Sequence, residues 1–174
     1  MGASTIPAAG GVAYSAADWT FIATAAPSGA ANATFSSISG YKKLKLVAFV
    51  TPSVSSNIIV QFNSDTTSGN YHSTTYGASI FMTPTLVGAT ITNGIVCQPA
   101  TFANGFFNLE INNANLTTVY KDAIGTSSAS SAGGPTYGAE IRGVWKSTAA
   151  ITSIVITPNG GGTITGNLYL MGQN

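Results

Sequence analysis

Between Tyr41 and Tyr71 the chain reads YKKLKLVAFVTPSVSSNIIVQFNSDTTSGNY, and its alternation constrains the fold more than any other stretch. In Lys42–Val50, Leu44, Leu46, Ala48 and Val50 share one face, with Lys43 and Lys45 opposite. In Asn57–Asn63, Ile58, Val60 and Phe62 share a face, and Ile59, Gln61 and Asn63 take the other. Successive side chains of a strand point to opposite sides, so a period of two in β-branched and aromatic residues marks extended chain with one buried face. The turn-rich TPSVSS between the runs predicts that they pair as a hairpin.

The composition agrees. Only 6% of the 174 residues are charged although 44% are hydrophobic. Helices carry Glu, Lys, Arg and Gln on their wet faces, and here those places fall to Ser, Thr, Asn, Gly and Ala, which suit exposed sheet and turns. A net charge of +1 provides no field to attract nucleic acid or an anionic membrane. No apolar run reaches the roughly 20 residues that span a bilayer. Cys97 is the single cysteine, so an intrachain disulfide is impossible, and in its apolar run it reads as a small buried hydrophobe. The start, MGASTIPAAGGVAYSAADW, shows neither the basic nor the continuous apolar segment of a secretory leader. It fits a myristoylation pattern formally, without the adjoining polybasic patch.

Taken in order, residues 1–17 lack periodicity and read as an arm, with one domain expected over 18–174. Ile6, Pro7, Val12 and Tyr14 are the arm's apolar anchors and its candidate partner-binding residues. Asp18–Thr24 predicts a strand with Trp19, Phe21 and Ala23 on one face, and a short run follows through Phe35 and Ile38. Beyond Tyr71, the apolar Ile80-Phe81-Met82 is broken by Pro84. Leu86–Thr92 and Ile95–Gln98 flank Asn93-Gly94, a hairpin-turn dipeptide. Phe106–Asn112 points Phe107, Leu109 and Ile111 inward and Asn108 and Glu110 outward. After the NNAN turn, Leu116–Ile124 reads as extended and Thr126–Pro135 as a mobile loop. Tyr137–Ser147 places Ala139, Ile141, Gly143 and Trp145 on one face. Ile151–Thr157 carries Ile154 and Ile156, and Ile164–Met171 turns Ile164, Leu168 and Leu170 inward. About eight to ten strands with regularly spaced turns and no helix predict an all-β protein, a jelly-roll β-sandwich with an extended N-terminal arm.

Chemistry-bearing residues are few. His72 is the only histidine, and it reads as an exposed loop residue; as a catalytic base it would need Asp18, Asp65 or Asp122 to orient it. Glu110 and Glu140 are the only glutamates, and both fall on polar faces near Lys146 or Arg142, not across a scissile bond. One Cys and one His cannot make a structural zinc site. Asn63, Asp65 and Asn70 surround a glycine and offer oxygens to a calcium ion, but a hydrogen-bonded turn accounts for the same residues. Tyr71, Tyr76, Tyr120 and Tyr137 could form an aromatic patch for sugars or could pack the sheets. No cofactor, no metal and no enzymatic activity is expected.

Three segments carry a resemblance. The run FNSDTTSGNY is similar to the FN-x-D…NY loops of small β-sandwich proteins from tailed-phage virions. VWKSTAAITSIVI looks like their penultimate strands, and GTITGNLYLMG like their closing strand, with two residues between Tyr169 and Gly172 where the family's ending has none. The resemblance implies a virion protein assembled in the host cytoplasm. Its most direct reading is a trimeric capsid decoration (cement) protein bound to the major capsid protein. The alternative is a tail or fibre domain that binds host glycan.

Overall fold

The computed structural model describes residues 19–67, 69–79, 85–86, 93–98, 104–130 and 136–174. Twelve strands and no helix occur among them: β1 Thr20–Ala25, β2 Ala33–Phe35, β3 Lys43–Pro52, β4 Ile58–Phe62, β5 Tyr71–Ser79, β6 Thr85–Leu86, β7 Ile95–Gln98, β8 Asn104–Ile111, β9 Lys121–Ser130, β10 Thr136–Trp145, β11 Ile154–Pro158 and β12 Ile164–Gln173. They form an eight-stranded sheet in the order β1-β12-β3-β8-β9-β10-β5-β6 and a four-stranded sheet in the order β2-β11-β4-β7. Every pairing is antiparallel. The protein is an all-β sandwich, with more strands than the eight to ten expected.

One apolar cluster fills the space between the sheets. Leu44, Leu46, Phe107, Leu109, Ile111, Ile141, Trp145, Leu168 and Leu170 enter it from the large sheet, and Phe35, Ile58, Val60, Phe62, Ile95, Ile154 and Ile156 from the small one. The alternation in β3, β8, β10, β11 and β12 therefore assigns the inward residues as the sequence predicts. Gly143 keeps its place on the inward face of β10 because a Cβ there would lie 2.8 Å from Ile95 of β7.

The hairpin expected of β3 and β4 does not form. β3 lies between β12 and β8 in the large sheet, whereas β4 lies between β11 and β7 in the small one. Residues 53–57 carry the chain across the roughly 10 Å that separates packed sheets. Alternation reveals which side of a strand is buried, but not which strand pairs with it. The links β1–β2, β2–β3 and β3–β4 all cross between sheets, so consecutive strands are stacked more often than paired. All five residues of β4 are buried, including Ile59 and Gln61 on the face expected to be open. Gln61 satisfies its amide by donating from Nε2 to the Asn93 carbonyl at 2.7 Å.

Other boundaries move for local reasons. A register shift between Phe21 and Ala23 breaks the period of β1, leaving Phe21 exposed while Ile22, Ala23 and Ala25 pack against the core. Residues 116–120 are loop, not strand, and extended structure begins at Lys121. It then runs on through Thr126–Ser130, the first half of the expected loop, with Ser127 and Ala129 buried and Thr126, Ser128 and Ser130 exposed. Serines and threonines on both faces hide the alternation, but β8 and β10 pair along both edges of this segment. The rest of that loop, 131–135, lies outside the described residues, as do residues 1–18, the run 80–84 and most of Leu86–Thr92. β7 pairs with β4. Its outer edge is closed by hydroxyls of β5: Val96 N donates to Ser73 Oγ at 2.9 Å and Thr75 Oγ1 donates to Val96 O at 3.3 Å.

Candidate functional site

The polar loop after β4 is closely hydrogen-bonded, and each residue of FN-x-D…NY has a part in it. Asn63 (φ 53°) and Ser64 (φ 55°) turn the chain through the left-handed region, which asparagine tolerates better than most residues. Asn63 Oδ1 accepts from Thr152 N at 2.7 Å, Ser153 N at 3.1 Å and Thr152 Oγ1 at 3.1 Å, while its Nδ2 donates to Ala150 O at 2.8 Å. Asp65 Oδ1 accepts from Thr67 N, and Oδ2 accepts from Asn70 Nδ2 and Trp145 Nε1, each at 2.8 Å. Tyr71 Oη accepts from Phe62 N at 2.8 Å. The Trp145 ring lies 5.6 Å from Phe62 and 6.3 Å from Tyr71, nearly parallel to the latter. A polar clasp thus closes over an aromatic triad and ties β4, β5, β10 and the 150–153 segment together.

The three residues weighed as calcium ligands do not act as one set. Asp65 and Asn70 meet each other, whereas Asn63 is turned to residues 150–153. The hydrogen-bonded turn is the arrangement observed. Burial pushes the Asp65 carboxyl up, but hydrogen bonds from Trp145, Thr67 and Asn70 together outweigh it and hold the group down at about 2, from 3.8. A depressed folded-state pKa contributes stability that is present above the unfolded value and is lost as pH falls through the folded one. The melting temperature should therefore drop as acid is added from 3.8 toward about 2. An Asp65→Asn variant should start lower, and its gap to the parent should close across that window. Thermal melts of both proteins at stepped pH check this; a gap that stays constant would mean the carboxylate contributes nothing.

The residues weighed for catalysis are dispersed. His72 lies on the exposed face of β5, not in a loop. It is cross-strand neighbour to Val144, whose other neighbour is Asp122, so Val144 separates the imidazole from that carboxylate. Asp122 accepts instead from Asn112 Nδ2 at 2.8 Å and Asn113 Nδ2 at 3.1 Å. Asp65 belongs to the clasp, and Asp18 lies outside the described residues. Glu110 and Glu140 sit on β8 and β10 with β9 between them, a separation of roughly 10 Å or more at the backbone. Glu110 pairs with Lys43 at 3.3 Å and Glu140 with Arg142 at 3.7 Å. Among the described residues no group of three His, Cys, Asp or Glu side chains comes together to hold a metal. Cys97 is buried, and burial alone pushes its thiol well up, away from the reactive thiolate.

The tyrosine patch is not assembled either. Tyr71 and Tyr137 face inward and are buried, which leaves Tyr76 and Tyr120 as its exposed members. Two phenylalanines are exposed as well. Phe21 on β1 is 60% accessible, and Phe49 on β3 is 51% accessible and packs its ring 5.0 Å from Phe106 on β8. Sequence reasoning passed over this pair, yet a signal was present. Phe49 shares its parity with Lys43 and Lys45, and Phe106 with Asn108 and Glu110, so both were bound for the wet side.

Lys121 was also missed. It is fully buried, and its Nζ donates to four carbonyls: Leu116 at 2.6 Å, Val119 at 2.9 Å, Thr148 at 3.0 Å and Ser147 at 3.5 Å. Burial pushes its pKa down, while the carbonyl cage favours the ammonium form. The sequence does not separate this lysine from the solvated ones, because half of its cage, Ser147 and Thr148, comes from a loop 26 and 27 residues away, and carbonyls of 116 and 119 turn toward it only through the shape of their loop.

No described helix is long and apolar enough to cross a membrane. No family model, no curated protein and no solved structure matches the chain.

Proposed function

We propose that this chain is a non-enzymatic structural protein of a tailed-phage virion, a capsid decoration protein that docks as a trimer on the shell formed by the major capsid protein. The observation that carries the reading is the open side of the large sheet at β1. Among the described residues this strand pairs with β12 alone and exposes Phe21, and in sequence it follows the N-terminal segment that bears Ile6, Pro7, Val12 and Tyr14. An unpaired strand edge with an apolar side chain is a template for adding a neighbour's strand. With 6% charged residues, little desolvation opposes covering that side. The order in which β1-β12-β3-β8 face β2-β11-β4-β7, with the chain crossing between them, supports a jelly-roll wrapping of these eight strands. The clasp supports the family resemblance, since Asn63, Asp65, Asn70 and Tyr71 of the quoted loop hold strands together.

The test is attachment itself. Particles stripped of the chain should take up the purified protein to a saturating, symmetric copy number, and uptake that never saturates would reject docking. The alternative, a tail or fibre domain that binds host glycan, is favoured by one observation, the solvent-exposed Phe49 ring packed on Phe106 on the outer face of the large sheet.

A further inference from the structure

The outer face of the eight-stranded sheet changes character along its strands. One cross-strand row holds Lys45, Glu110, Ile124 and Arg142. Two register steps away the row is Asn167, Phe49, Phe106, Ser128 and Gly138, without a charge. Beside it, Thr51 Oγ1 donates to Asn104 Oδ1 at 2.8 Å, and Asn104 stands opposite Ser130. Between these rows lies an open groove of about 430 Å³, lined by Phe49, Thr51, Asn104, Phe106, Ser128 and Ser130 and floored by Gly105 and Ala129.

The chemistry of the lining selects among ligands. Anions require cationic side chains or converging amide N–H groups, and none of the lining residues is charged. An extended peptide adds to a free strand edge, but β3, β8 and β9 are paired on both sides. A purely apolar ligand would leave a rim of hydroxyls and amides unsatisfied. What remains is a molecule with one apolar face and a periphery of neutral hydroxyls. A pyranose ring has that form: its C–H face stacks on an aromatic ring and its hydroxyls exchange hydrogen bonds with Asn, Ser and Thr. The tilt of 48° between the two phenyl rings makes one wall of the groove, and the volume suits one or two sugar rings. The site stands on three adjacent, fully paired strands, so little ordering opposes binding.

We propose that this groove is a binding site for neutral carbohydrate, with a sugar ring stacked on Phe49 and its hydroxyls held by Asn104 and the serines of β9. The proposal deepens the glycan-binding alternative above, naming its site and ligand class, and rests on that reading, not on the docking one. Sugar binding and particle uptake are separate measurements, and either can fail alone.

The test is a printed array of neutral and acidic oligosaccharides probed with the full chain, followed by calorimetric titration of the strongest neutral hit. Phe49→Ala and Asn104→Ala should each weaken binding about tenfold or more. Both residues are exposed, so melting temperatures should stay near that of the parent. Tyr76→Ala, on the same sheet face but outside this groove, should bind as the parent does. No neutral hit, a preference for acidic sugars, undiminished binding by Phe49→Ala, or equal loss in Tyr76→Ala would each overturn the assignment.

Discussion

Replacing Phe107 by Ala should destabilise the protein by about 3–5 kcal/mol, the usual cost of truncating a buried aromatic ring. Phe107 is fully buried on β8, between Ala48 of β3 and Ser127 of β9 in the inner face of the large sheet. The cavity cannot collapse easily, because both neighbouring strands are held by continuous ladders. For a chain of this length the loss corresponds to a fall of roughly 6–20 °C in melting temperature. Glu110 lies three residues along the same strand on the opposite face, with its carboxylate partly exposed beside Lys43. Glu110→Ala should cost no more than about 1 kcal/mol, as exposed ion pairs do. Calorimetry on the two variants checks the face assignment, and equal effects would contradict it.

The second large effect is expected at Lys121. Lys121→Met keeps the length and apolar stem of the side chain but removes the donor that serves Leu116, Val119, Ser147 and Thr148. Leu116, Val119 and Thr148 are exposed residues, so water can replace part of the lost bonding; a carbonyl that stays out of water without its donor costs about 1–3 kcal/mol, partly offset by sparing a buried charge its desolvation. The net loss should be on the order of 2–4 kcal/mol. Hydrogen exchange should quicken in 116–120 and 146–149 before it changes in β3 or β8. Stability equal to the parent's would show that the cage adds nothing beyond packing.

How far the sequence disclosed this structure depends on what each signal encodes. Inward faces were legible wherever large apolar residues alternate with polar ones, as in Leu44, Leu46 and Ala48 or Phe107, Leu109 and Ile111. Pairing was not, because β3 and β4 present equally good inner faces whether they lie side by side or in opposite sheets. Thr126–Ser130 looked like loop because Ser and Thr contribute no hydrophobic contrast, though its two ladders make it ordinary strand. In β1, one bulge was enough to turn Phe21 outward. The clasp was half visible: Asn63, Asp65 and Asn70 were recognised as a set, but Trp145 and residues 150–153 are distant partners that spacing cannot reveal. The groove was missed for a different reason. Phe49 and Phe106 stand on the polar parity of β3 and β8, and alternation alone does not tell that they meet across the two strands.

The most direct measurement of the docking claim is the uptake experiment repeated with a chain lacking residues 2–14. The deletion spans Ile6, Pro7, Val12 and Tyr14 and leaves every described strand intact. Light scattering should give the mass of three subunits for both proteins, while occupancy on stripped particles falls sharply for the shortened one. Occupancy equal to that of the full chain would contradict attachment through this side of the sandwich.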